Sequence, residues 1–116
     1  MALSEFEELI SIFEVELKRG VLTLAILSQL ESPQYGYSLL QTLIDKQVDI
    51  EAGTLYPLLR RLEKQNILKS EWDTSESRPR KYYSLSETGK KLYHSLKASW
   101  QLQVDNMMNL IGGAEQ

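Results

Sequence analysis

The sequence predicts a mainly helical fold interrupted by one β-hairpin, and three observations carry that expectation. Apolar residues recur every three or four positions in four segments, as they do in helices that bury one face. Two short alternating segments, Leu68 to Trp72 and Lys81 to Leu85, flank the turn-rich Thr74-Ser75-Glu76-Ser77-Arg78-Pro79. The chain has 116 residues, 42% hydrophobic and 25% charged, the size and balance of one ordinary globular domain. Only Gly112 to Gln116 read as a frayed tail.

Near the start, Leu3, Phe6, Ile10, Phe13 and Leu17 are spaced 3, 4, 3 and 4, and Val21 and Leu24 continue the seam. That spacing belongs to a helix packing on another helix. It predicts a helix from Ser4 to Leu30, bent at Gly20 and ended by Ser32-Pro33. A shorter helix carrying Tyr37, Leu39, Leu40, Leu43 and Ile44 stops in the polar stretch Asp45 to Asp49, and the two helices form one compact unit.

The third helix, Ala52 to Asn66, divides its faces sharply. Leu55, Leu58, Leu59 and Leu62 share an arc of about 100°, while Pro57, Arg60, Arg61 and Lys64 share a similar arc on the opposite side. One face is core and the other a basic ridge without an acid. Pro57 forfeits a backbone hydrogen bond and crowds the carbonyl of Gly53, so a local kink is expected, with Gly53 leaving the space. An isolated two-stranded ribbon is marginal in water, so the hairpin should pack on the helices through Trp72, Tyr83 and Leu85.

Ser86 caps the last helix, and Glu87 stands in its first turn, where the macrodipole favours an acid. Tyr93, Leu96, Trp100, Val104, Met107 and Ile111, spaced 3, 4, 4, 3 and 4, form its seam. At ~1.5 Å per residue this helix reaches roughly 35 Å, longer than so small a domain covers alone. A partner chain is implied.

Composition removes most catalytic chemistry. Without cysteine there is no disulfide, thiolate nucleophile or sulfur-based zinc site, and the single histidine, His94, cannot form a metal cluster. His94 sits in a polar helical stretch and reads as a solvated side chain rather than an acid, base or ligand. No Gly-rich phosphate loop or GxSxG nucleophile motif occurs, so no enzyme is expected and no cofactor is implied. No apolar run approaches the ~20 residues of a bilayer span, and Glu5, Glu7 and Glu8 stand where a signal peptide would be positive. The expectation is a cytoplasmic protein with no membrane partner.

The net charge is −3, but it is unevenly spread. From Arg60 to Lys91 nine basic residues face five acids, a surplus of four that leaves the rest of the chain at −7. Three helices followed by a hairpin, with cations on the third helix and on the hairpin, give the layout of a winged helix-turn-helix, here followed by a long C-terminal dimerisation helix. Residues 1–85 would form the DNA-binding domain with its N-terminal helical extension, and residues 86–116 the dimerisation helix. The third helix would lie in the major groove, where Arg60, Arg61 and Lys64 meet phosphates or base edges, while Arg78, Arg80 and Lys81 straddle the flanking backbone. Charge alone would fit a solvated amphipathic helix; the position of the hairpin favours DNA.

The same residues carry a family resemblance. Lys18-Arg19-Gly20-Val21-Leu22, Tyr35-Gly36-Tyr37, the run Gly53-Thr54-Leu55-Tyr56-Pro57-Leu58-Leu59-Arg60-Arg61-Leu62-Glu63, Arg78-Pro79-Arg80-Lys81-Tyr82-Tyr83 and Leu85-Ser86-Glu87-Thr88-Gly89 resemble the PadR family of bacterial transcriptional regulators. The resemblance spans Lys18 to Leu92 and departs at Asn66, where the family usually has Gly; Asn is the next-best residue for a left-handed helix terminus. It implies a homodimeric repressor of double-stranded operator DNA, with Tyr35, Thr54, Tyr56 and the basic wing residues as contacts. Tyr56 borders the core and could instead pack there. Tyr35 and Tyr37 could divide roles, one turned to phosphate and one to the core.

Trp100 has two readings. At coiled-coil-like spacing an aromatic is commonly dimer core. Small members of the family carry a Trp at the same distance after the helix-opening Gly, here Gly89, and bind flat aromatic compounds between two such tryptophans. The resemblance therefore implies a small aromatic effector at the dimer interface, walled by Val21, Leu24, Ala25, Tyr93, Leu96 and Val104. The alternative for the whole chain is a winged-helix protein-interaction module that binds no DNA.

Overall fold

The computed structural model describes residues 4–112 in the order α1 (Glu5–Lys18), α2 (Val21–Ser28), β1 (Gln34–Tyr35), α3 (Gly36–Asp45), α4 (Ala52–Lys64), β2 (Leu68–Asp73), β3 (Arg80–Leu85) and α5 (Glu87–Ile111). Leu3 and the expected tail beyond Gly112 lie outside the described residues. Five helices and a small antiparallel sheet make a winged helix.

α1 opens with a reciprocal cap: Ser4 Oγ accepts from the Glu7 amide, and Glu7 Oε1 accepts from the Ser4 amide, each at 3.0 Å. The single bent helix expected from Ser4 to Leu30 is instead two helices. Gly20 has φ 88°, which ends α1 and starts α2. The expected compact unit is correspondingly smaller. α2 packs against α3, but α1 buries none of its residues, leaving Phe6, Ile10, Phe13 and Leu17 in solvent.

α3 and α4 end alike. At Gln47 (φ 71°) and Asn66 (φ 63°) the chain turns left-handed. The next amides bond back into the helix, Val48 to the Leu43 carbonyl and Ile67 to the Leu62 carbonyl, each at 2.9 Å. α4 runs through Pro57 as one element, and the space beside Gly53 is open.

The sheet order is β1-β3-β2, both pairs antiparallel. The hairpin register runs from Leu68 opposite Leu85 to Asp73 opposite Arg80. β1, which was not expected, adds Gln34 opposite Tyr83 and Tyr35 opposite Tyr82. Alternation turns Tyr83 and Leu85 into the core. Trp72 does not join them as expected: it is 62% exposed, because it pairs with Lys81 near the wing tip, past the edge of the core.

One core joins Ile26, Leu27 and Leu30 with Leu39 and Leu43, with Leu55, Leu59 and Leu62, and with Leu68, Tyr83, Leu85 and Tyr93. Each fully buried leucine contributes about 1.5–3 kcal/mol of transfer free energy. β3 passes into α5 through Ser86, whose hydroxyl accepts from the Gly89 amide at 2.9 Å and lies 2.7 Å from the Asn66 carbonyl and 3.0 Å from that of Ile67. Gly89 is obligatory here, since a Cβ on it would stand 2.1 Å from the Ile67 carbonyl oxygen. The first turns of α5 thus share the core; beyond them Trp100, Met107 and Ile111 are exposed.

Candidate nucleic-acid interface

α4 places Leu55, Leu59 and Leu62 in the core and leaves Thr54, Arg60, Arg61 and Lys64 exposed on its other side. Among the described residues none of these three cations is in an ion pair; the same holds for Arg78 in the wing turn. Glu63, the acid at the margin of this basic helix, points to the hairpin instead. It accepts from Lys81 Nζ at 3.0 Å and from the Ser70 hydroxyl. The Ser70 hydrogen bond, with Lys81 behind it, holds the Glu63 carboxyl below the usual carboxylate range. Glu63 in turn raises the Lys81 ammonium. Lys81 is therefore a strut between α4 and the wing, and only half exposed.

The start of α3 is built into the same region. Tyr56 is half-buried, its ring so close to Gly36 that a Cβ there would meet Cε1 at 2.6 Å. Of its two readings, packing is what this chain shows. Tyr35 and Tyr37 do not divide between phosphate and core. Their rings stack on each other with centroids 5.8 Å apart, Tyr37 is exposed, and Tyr35 meets Tyr82 edge-on at 5.9 Å.

The Tyr35 hydroxyl donates to Asp73 Oδ2, while Asp73 Oδ1 accepts from the Ser75 amide at 3.0 Å and hydroxyl at 2.6 Å. Ser75 and Tyr35 pull the Asp73 pKa down to about 2, and Asp73 raises that of Tyr35. The Arg80 guanidinium lies 4.5 Å over the Tyr35 ring, donates to the Tyr37 hydroxyl at 2.9 Å and pairs with Glu76 at 3.1 Å. Its Nε is buried without a partner.

Tyr35, Gly36, Tyr37, Tyr56, Trp72, Arg80, Lys81 and Tyr83 line a groove of about 280 Å³ between the α3 start and the wing. The sequence reading missed Asp73, Glu63, Tyr37 and Tyr82 in this network. A lone acid in a basic helix was a signal for Glu63; an Asp two residues before a Ser, the pattern of a local turn, was one for Asp73.

The residues expected around Trp100 are brought together in part. α2 packs on α5, with Leu24, Ala25 and Leu96 against the core. Tyr93 is buried within it, whereas Val21 and Trp100 stand on the open face, Trp100 at 43% exposure, with Val104 half-buried. Among the described residues, no helix is long and apolar enough to cross a membrane, and no cluster of three or more His, Cys, Asp or Glu could hold a metal ion.

Residues 23–95 match the model of the transcriptional regulator PadR-like family. A PadR family transcriptional regulator from Eggerthella lenta superposes with a TM-score of 0.84 at 43% identity, covering 91% of this chain and 95% of its own. A PadR family regulator from Clostridium difficile gives 0.71 at 30% identity, covering 79% and 98%. An uncharacterised protein of Lysinibacillus sphaericus is 32% identical over 75 residues, 61% of this chain and 69% of its own.

Proposed function

The chain belongs to the PadR-like family of transcriptional regulators, and from that premise we propose that it acts as a homodimeric repressor that binds double-stranded operator DNA in the cytoplasm. One observation carries the reading: Arg60, Arg61 and Lys64 form an exposed, unpaired basic ridge on a helix whose reverse face is core, with Arg78 free in the wing beside it. Phosphates attract such a ridge without sequence preference, and Thr54 at the start of α4 is where base edges would be read. A protein-binding surface would be more apolar at its centre.

The second copy is called for by the uncovered apolar residues of α1 and of the outer part of α5. Trp100 lies on that open face of α5. We assign it, with its symmetry mate, to a site for a planar, apolar or cationic aromatic effector that releases the protein from DNA. Release requires the effector to prefer the non-binding arrangement of the two copies.

The test is a gel shift against the DNA upstream of the protein's own gene, repeated over a salt series. Replacing Arg60 and Arg61 by Ala should weaken binding to all sequences and lower the log–log salt slope by about 2. An unchanged slope would remove the ridge from the interface.

A further inference from the structure

A wing that approaches phosphates should avoid acids, yet this one carries Glu71, Asp73 and Glu76. Asp73 and Arg80 form the last pair of the hairpin ladder, immediately before the turn that holds Arg78. Each reaches across the fold to the same place. Asp73 takes the hydroxyl of Tyr35, the N-cap residue of α3, and Arg80 takes that of Tyr37 one turn on. The Arg80 guanidinium is also covered by the Tyr35 ring and held by Glu76, so little of its charge is offered outward.

We infer that Asp73 and Arg80 are positioning residues: together with Tyr35 and Tyr37 they pin the wing to the start of α3, fixing where Arg78 meets the DNA backbone, and Arg80 is not itself a phosphate contact. The inference deepens the DNA-binding reading and rests on it. It assigns to Asp73 an effect on affinity opposite in sign to its charge. Removal of an acid beside phosphates should tighten binding electrostatically, whereas loss of the pin should weaken it.

Asp73→Ala, Tyr35→Phe, their double variant and Arg80→Ala would be titrated against a short random-sequence duplex over a salt series. Tyr35→Phe keeps the packed ring and loses only the hydroxyl, so it separates loss of the pin from misfolding. Asp73→Ala and Tyr35→Phe should each weaken binding about ten-fold, the scale of one hydrogen bond to a charged group. The double variant should be no weaker than either single, because both remove the same contact. Arg80→Ala should weaken binding with its salt slope unchanged. Tighter binding by Asp73→Ala, or a slope lowered by about 1 in Arg80→Ala, would overturn the inference. A DNA-free measurement keeps it separate from the functional reading. With Trp100→Phe leaving Trp72 as the only tryptophan, Asp73→Ala should lower the fluorescence anisotropy of the wing. Unchanged anisotropy overturns the pin even if the wild type binds no DNA; absence of wild-type binding overturns only the function.

Discussion

Gly89→Ala opposes two physical effects whose balance the structure fixes. Gly89 lies in the first turn of α5, and in an exposed helix the substitution would gain about 1 kcal/mol from propensity. Here the new methyl would sit 2.1 Å from the Ile67 carbonyl oxygen, where ordinary contact begins at 3.4 Å. The helix start must therefore move by more than about 1 Å, and the Ser86 amide and hydroxyl contacts to Ile67 (3.0 Å each) and the hydroxyl contact to Asn66 (2.7 Å) stretch with it. Three hydrogen bonds at about 1 kcal/mol each, offset by about 1 kcal/mol of propensity, leave a loss of about 2 kcal/mol. For a domain of this size that corresponds to a fall of about 10 °C in Tm. Thermal unfolding followed by circular dichroism, at matched protein concentration so that association does not mask the effect, measures it. An alanine variant as stable as the wild type would refute the reasoning, since propensity would then outweigh the close approach.

Sedimentation velocity should give a dimer at micromolar concentration, and Leu17→Glu with Ile111→Glu should shift it to monomer while residues 22–93 keep their fold. Titration of the Trp72→Phe protein with flat aromatic dyes should quench or shift Trp100 emission; no change across several dyes would make Trp100 ordinary dimer core. Because the Glu63 carboxyl titrates lower in the folded chain than in the unfolded one, its stabilisation is present above pH ~4.5 and is lost as pH falls through the folded value. Glu63→Gln should therefore flatten the stability profile below pH ~4.5, leaving the steeper loss near pH 2 that Asp73 contributes. An unaltered acid limb in Glu63→Gln would remove the strut from the stability argument.

The long periodic helices, their caps and the hairpin were legible in the sequence because each is set by neighbours within a few residues. The break at Gly20 was read as a bend, since spacing alone does not say whether a glycine adopts positive φ. β1 was illegible for a different reason: two residues carry no alternation, and their pairing comes from β3 nearly fifty positions on. The same distance effect governs the site. The basic ridge showed itself on a helical wheel, whereas the partners of Arg80, Lys81 and Asp73 are defined only once the wing folds back on α3 and α4. Trp72 was misplaced because alternation gives the side of a strand and not how far along it the core extends.

The passage from β3 to α5 through a single anchored residue, Ser86, makes the last helix a rod clamped at its base rather than a tether. Its 25 residues span about 37 Å. A rod of that length tilted by about 5° at its far end carries its base through about 3 Å, close to the ~3.4 Å rise between successive base pairs. Leverage of this kind leaves no slack: a rearrangement of a few degrees where two such rods cross would move the reading heads by one step of the DNA ladder.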